Sequence, residues 1–290
     1  MSAATLGQQF VNALALGSVY AMIAVGLAMI YGVLRILHIA HAGVYSAGAY
    51  LGLYFFHLTG SFVIALVGSM LLTGLIGALI ERIVYRPIIT KPRIVALIAS
   101  IGIFICLSDL FRILAGPYQL AFDYPALSGE ITFLGMSVPV VNTAIIAGTL
   151  VTFAGLWLLV QKTRIGFGIR AVAQDIEAAR MMGIDVDQSI QAVFFLSSAV
   201  AAFGAIMVGV LYNAVYPSMG DMIGYKGLAL IVIGGFGNMT GAVIASFVLG
   251  FAETFVTTYS DVPLSREGIA MLMLVVLVMI RPQGLIGKRA

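Results

Sequence analysis

QFVNALALGSVYAMIAVGLAMIYGV, residues 9–33, carries no charged side chain anywhere along its length. A hydrocarbon core about 30 Å thick takes about 20 helical residues to cross, so this run is long enough to span it. The apolar residues are continuous rather than alternating, which favours a helix over a barrel strand, the only two backbones that satisfy their own hydrogen bonds in lipid. Working outward, further apolar segments lie at 40–58, 61–80, 94–116, 138–160, 190–212, 226–236, 240–258 and 267–280. The segment 226–236 is too short to cross unaided, and is expected to be a half-helix, a re-entrant segment or part of a broken helix. The reading is an all-α, polytopic transmembrane bundle of eight or nine membrane segments, broken or re-entrant near 226–241, forming one domain over 1–290. Composition agrees: 61% of residues are hydrophobic and 9% charged, where a soluble domain has about 25% charged. Most of the surface must therefore face lipid or other membrane-embedded subunits.

Basic residues collect in three places: Arg82, Arg86, Lys91 and Arg93; Lys162, Arg164, Arg170 and Arg180; Arg281, Lys288 and Arg289. The positive-inside bias puts all three in the cytoplasm. The stretch 117–137 holds Asp123 and Glu130 and no Lys or Arg, so it is expected outside, as is Asp261. These assignments agree only if 226–236 counts as a crossing, and they put the N-terminus outside and the C-terminus inside. The opening MSAATLGQQF lacks a basic n-region, so the first span is expected to stay uncleaved. The net charge of +3 matters through where it lies and is no argument for a nucleic-acid partner. The single cysteine, Cys106, cannot form an internal disulfide and reads as a small packing residue.

The longest cytoplasmic connection, 161–189, is the one segment that looks soluble. From Gly168 to Met182 it reads as a short amphipathic helix, with Ala171, Ala178, Met181 and Met182 apolar and Gln174, Asp175, Glu177 and Arg180 polar. Gly183 follows, where a glycine stops a helix.

Polar groups at membrane depth are costly and are candidates for function. Asp109 and Arg112 stand three residues apart and can pair on one helix face; pairing is the simpler role, a place on a substrate path the alternative. Glu253 has no basic neighbour in sequence. His38 and His41 are too few for a metal site, which takes three or four ligands, so no metal is expected. His41, Ser46 and Tyr50 form a polar stripe that suits either a wet cavity or bonding between helices. Asn12, Ser18 and Tyr20, with Tyr212 and Asn213, form a similar set. Gly48 with Gly52, and Gly237 with Gly241, have the spacing of close helix packing. Alternatively Gly234-Gly235-Phe236-Gly237-Asn238 breaks a helix and exposes backbone groups to a polar path. The glycines at 235, 237 and 241 do not make a dinucleotide site, having the wrong spacing and no βαβ context. No G-x-x-x-x-G-K-[ST], nucleophile elbow or HExxH is present, so neither a P-loop ATPase nor an intramembrane enzyme is expected.

Taken in order, GSVYAMIAVGLAMIYGV (17–33), HIAHAGVYSAGAYLG (38–52), ERIVYRPI (81–88), LIASIGI (97–103), TRIGFGIRAVAQDIEAARMMGIDVD (163–187), KGLALIVIGGFGNMTGAVIASFVLGFAE (226–253) and RPQGLIG (281–287) resemble the LivH-type permease family of branched-chain amino acid ABC importers. The resemblance implies a bacterial inner-membrane translocation subunit that is not itself an enzyme. It implies a second, related permease, two cytoplasmic ATPase subunits that hold ATP and Mg, and a periplasmic binding protein. Glu177-Ala178-Ala179 with Gly183 is similar to the family's ATPase-docking element, which would place Asp175, Arg180 and Met181 at the same contact. A substrate path would draw on Asn12, Ser18, Tyr20, His41, Ser46, Tyr50, Asp109, Gly235 and Asn238. The substrate itself is open between branched-chain amino acids and urea or short-chain amides. A stand-alone ion-coupled transporter and a purely structural subunit are the competing classes.

Overall fold

The computed structural model describes residues 3–127, 129–133, 136–259, 264–281 and 283–286; Asp261, Lys288 and Arg289 lie outside them. In chain order the helices are α1 (Ala3–Leu34), α2 (Ala40–Thr59), α3 (Phe62–Ile80), α4 (Arg86–Ile88), α5 (Arg93–Ala115), α6 (Val140–Lys162), α7 (Arg164–Gln174), α8 (Ile176–Met181), α9 (Val186–Leu211), α10 (Met219–Gly234), α11 (Met239–Tyr259) and α12 (Arg266–Ile280). A π-helical turn, Glu81–Tyr85, fuses α3 and α4 into one rod. A small antiparallel pair, β1 (Glu130–Phe133) and β2 (Met136–Pro139), interrupts the helices, with Glu130 opposite Pro139.

The run that opened the sequence reading forms the centre of the bundle. The apolar window of α1 is 94% buried, against 11% for α5 and 17% for α6. α1 packs against α6, α9, α10 and α11, while α2, α3 and α9 pack on one another and α5 leans on α2. An all-round apolar helix fits the centre of a membrane bundle, where protein surrounds it, as well as it fits lipid. Among the described residues, six helices are long and apolar enough to cross a membrane: α1, α5, α6, α9, α11 and the α3–α4 rod. Histidines, tyrosines and glycines dilute the hydropathy of α2, and α10 and α12 have only 16 and 15 residues.

Val33, Tyr85, Ala96, Val160, Val172, Ala179 and Val186 belong to one buried cluster. Arg82, Arg86, Lys162 and Arg164 lie beside it in the chain, so this is the basic end of the bundle. The opposite end carries residues 116–127, 129–133 and 136–139, joined to the segment after α9 by paired backbone bonds between Leu120 and Val215 at 2.8 and 2.9 Å.

Two elements differ from their sequence reading. The short 226–236 segment extends back to Met219, because α10 docks its first turn on α2: the Gly220 amide donates to Ser46 Oγ at 3.0 Å. Gly220 and Asp221 in that first turn hid the helix from a hydropathy reading. The amphipathic stretch 168–182 is two helices, not one. Asp175, at φ −154°, breaks the run and its carboxylate accepts from the Glu177 and Ala178 amides at 2.8 and 3.0 Å, as an N-cap does.

The Gly237–Gly241 spacing also divides into separate roles. Gly237 turns the chain at φ +75°, a conformation L side chains rarely adopt, and its carbonyl lies close to Gly32. Gly241 lets α11 press directly on the Gly234 carbonyl of α10. Gly241→Val is expected to cost about 1–3 kcal/mol by overpacking, read as a lowered melting temperature of the purified protein in detergent.

Candidate functional site

Asn12, two turns before Tyr20 on the central helix, starts the site at the end opposite the basic cluster. Asn12 Oδ1 accepts from Asn142 Nδ2 at 2.8 Å, and its own amide donates to Gln9. These side chains line an outer cavity of about 290 Å³, shared with Thr254, Thr257 and Arg266. Beneath lies an inner cavity of about 260 Å³. The two share Leu16, Leu211, Tyr212 and Arg266, so the Arg266–Tyr212 hydrogen bond, at 2.9 Å, sits on the wall between them.

Tyr20 and Lys226 lie on the inner cavity, and behind them is Glu253. Lys226 Nζ donates to Tyr20 Oη at 2.6 Å and to Glu253 Oε2 at 3.0 Å, and lies 2.9 Å from Oε1; Tyr20 Oη donates to Oε2 at 2.7 Å. The Lys226 and Glu253 side chains are 3% and 0% exposed. A lone charge at this depth would be expelled or neutralised; paired with each other and bonded to Tyr20, the two tie α1, α10 and α11 together. Glu253 stood out in the sequence, but Lys226 did not, because it opens an apolar run and meets its partner only when α10 folds back along α11. Arg266 was missed for a like reason: it opens α12, far in sequence from Tyr212.

The other sequence candidates are distributed apart from these cavities. Ser18 is buried and lines neither. Ser46 holds the start of α10, as above. Tyr50 stacks on Phe111 with centroids 4.9 Å apart, and among the described residues its hydroxyl has no partner. His41 is buried and both ring nitrogens lack a partner among the described residues; the cavity it touches is about 10 Å³, room for no more than about one water. His38 bonds Tyr85 Oη at 2.7 Å, and among the described residues no third ligand joins the two histidines. Asp109 pairs with Arg112 at 3.3 Å on an outward face, both more than half exposed. Gly235 and Asn238 form the α10–α11 turn at the basic end, where Asn238 Oδ1 caps the Gly241 amide at 3.0 Å and Nδ2 holds the Ile286 carbonyl at 3.2 Å.

At that basic end α8 rests on the bundle through Ala179 and turns its other face outward. Thr163 caps α7, and the Arg170 guanidinium donates to the Val160 carbonyl at the end of α6. Ala179 is buried against the bundle, while Met181 and Met182 are each 82% exposed. Gly183, at φ +77°, closes α8: its amide donates to Arg180 O and that of Ile184 to Ala179 O, both at 3.1 Å. This paired ending is a Schellman motif. The result is a short, firmly capped helix presenting two bare methionines.

Residues 9–280 match the family described as the branched-chain amino acid transport system permease component. The chain belongs to this permease family. The permease is 29% identical to LivH, the high-affinity branched-chain amino acid transport system permease protein of Escherichia coli (strain K12), covering 97% of this chain and 95% of LivH. It is 30% identical to BraD, the corresponding protein of Pseudomonas aeruginosa, over the same shares. Among solved structures it is similar in fold to an inward-facing metal-chelate type ABC transporter (TM-score 0.53, 15% identity, 94% of this chain and 85% of that one). It is similar also to PsaBC of Streptococcus pneumoniae (TM-score 0.51, 14% identity, 94% and 91%). The permease is thus a multi-pass membrane protein built as a helical bundle.

Proposed function

We propose that the permease is the translocation subunit of an ATP-driven importer of branched-chain amino acids. The observation that carries the reading is the capped helix Ile176–Met181 at the basic end, with Met181 and Met182 bare in a region too polar to be sheathed by lipid. An exposed apolar pair on a rigid helix marks a protein contact. Asp175, Glu177, Ala178, Ala179, Arg180, Met181 and Gly183 form the element that meets an ATPase subunit, within the coupling connection 161–189. ATP and Mg reside on two such cytoplasmic subunits, and a second, related permease completes the membrane pair. The positive-inside bias supports a cytoplasmic basic end, with the N-terminus outside and the C-terminus inside. The stretch 117–137 then faces a binding protein on the far side.

The assignment of branched-chain amino acids rests on LivH and BraD, whose names specify that transport. The test is uptake of labelled leucine by the native host with and without this chain, with valine, isoleucine, urea and acetamide as competitors. Loss of leucine uptake, with competition by valine and isoleucine in the intact host, is the expected result. Leucine uptake that persists in a host with no second leucine system moves the substrate to amides, urea or another amino acid.

A further inference from the structure

The inner cavity is not uniform. Its walls are mostly apolar, from Leu16, Val19, Val208, Met219 and Ile223, joined by the rings of Tyr20, Tyr212 and Tyr216. Its floor is Lys226, whose charge Glu253 already takes up. Its remaining formal charges are Arg266 and Glu267, adjacent residues in the first turn of α12. The Arg266 guanidinium donates to a neutral phenol, Tyr212 Oη, which leaves its charge uncompensated by that bond. Glu267 is half-buried beside it. A cavity of about 260 Å³ falls just below the range of about 300–1,000 Å³ that drug-sized ligands occupy. The complementary molecule is therefore small, bears one negative and one positive group close together, and ends in an aliphatic chain.

We propose that this cavity binds an aliphatic amino acid in passage, with Arg266 taking the α-carboxylate, Glu267 the ammonium group and the apolar walls the side chain. A guanidinium suits the carboxylate because its planar fork offers two parallel donors. The Lys226–Glu253–Tyr20 group is then a fixed floor and not a substrate ligand. This inference rests on the importer reading above and adds to it where in this chain, and by which charges, the substrate is held.

The experiment uses the assembled importer in lipid nanodiscs, with the native Cys106 replaced by serine and Met222→Cys placed on the cavity wall. Modification of that thiol by a methanethiosulfonate reagent is timed with no addition, with leucine and with leucinamide, which lacks the carboxylate. Leucine is expected to slow modification about tenfold and leucinamide to leave it unchanged. Adding Arg266→Gln is expected to abolish leucine's protection. In proteoliposomes Arg266→Gln lowers kcat/KM for leucine by roughly 10- to 100-fold, the range implied by losing a hydrogen bond to a charged group. Arg266→Lys, which keeps the charge and loses the fork, retains part of the activity. Size-exclusion of each variant complex separates a binding defect from a folding one. Equal modification with and without leucine, or unchanged kcat/KM in Arg266→Gln, overturns the proposal while leaving the importer reading intact. A native complex that imports no branched-chain amino acid overturns that reading instead.

Discussion

Lys226→Met lowers the stability of the permease by about 3–5 kcal/mol, the range measured when one partner of a buried ion pair is removed. The methionine fills nearly the same volume, so packing is not the cause. What remains is Glu253, fully buried and held by Tyr20 alone. It must either stay charged without a cation or take up a proton, and both are costly at membrane depth. The double variant Lys226→Met/Glu253→Met removes the orphaned charge with its partner. It is expected to recover most of the loss, since an apolar replacement of a whole buried pair is often neutral. Thermal melting of the purified proteins in detergent checks both. A single variant as stable as the native protein, or a double variant worse than the single, would mean that the pair does not hold α1, α10 and α11 together.

The second large effect is on transport and not on folding. Met181→Asp/Met182→Asp puts charge on the two side chains that stand 82% exposed, without touching Ala179, which anchors α8 to the bundle. Leucine uptake is expected to fall at least tenfold while the permease still reaches the membrane in normal amount. Glu177→Lys and Gly183→Val are expected to act in the same direction by two routes. The first reverses charge on the exposed face. The second puts a β-branched residue at φ +77°, where backbone strain of about 1–3 kcal/mol opens the helix end. Uptake that survives all three variants would remove the ATPase contact from this turn.

The two predictions differ in how visible their residues were beforehand. Asp175 through Gly183 could be found from the chain alone, because helix caps and amphipathic faces are local: an Asp that caps, a glycine that stops, and apolar positions at helical spacing. Even there the break at Asp175 was missed, because a carboxylate that reads as part of a polar face also competes for the backbone amides ahead of it. The Asn12 and Tyr20 candidates proved to lie on two adjoining cavities. Lys226 and Arg266 had no such local signal. Lys226 opens an apolar run and Arg266 opens α12, where a charge reads as an ordinary helix end.

By itself the sequence determined that this chain is a membrane-embedded helical bundle, which end is basic, and where the exposed amphipathic stretch 168–182 lies. These follow from composition, from the length of apolar runs and from charge between them, all properties of short segments in a fixed solvent. Only the tertiary structure decided that α1 is the centre and α5 and α6 the rim, since apolar helices look alike whether lipid or protein covers them. It alone decided that α10 begins at Met219, because Ser46 and not the local hydropathy fixes its first turn. It alone joined Lys226 to Glu253 and Arg266 to Tyr212. Those pairs depend on which helices become neighbours, and close packing between helices sets that choice where lipid provides no hydrophobic drive of its own.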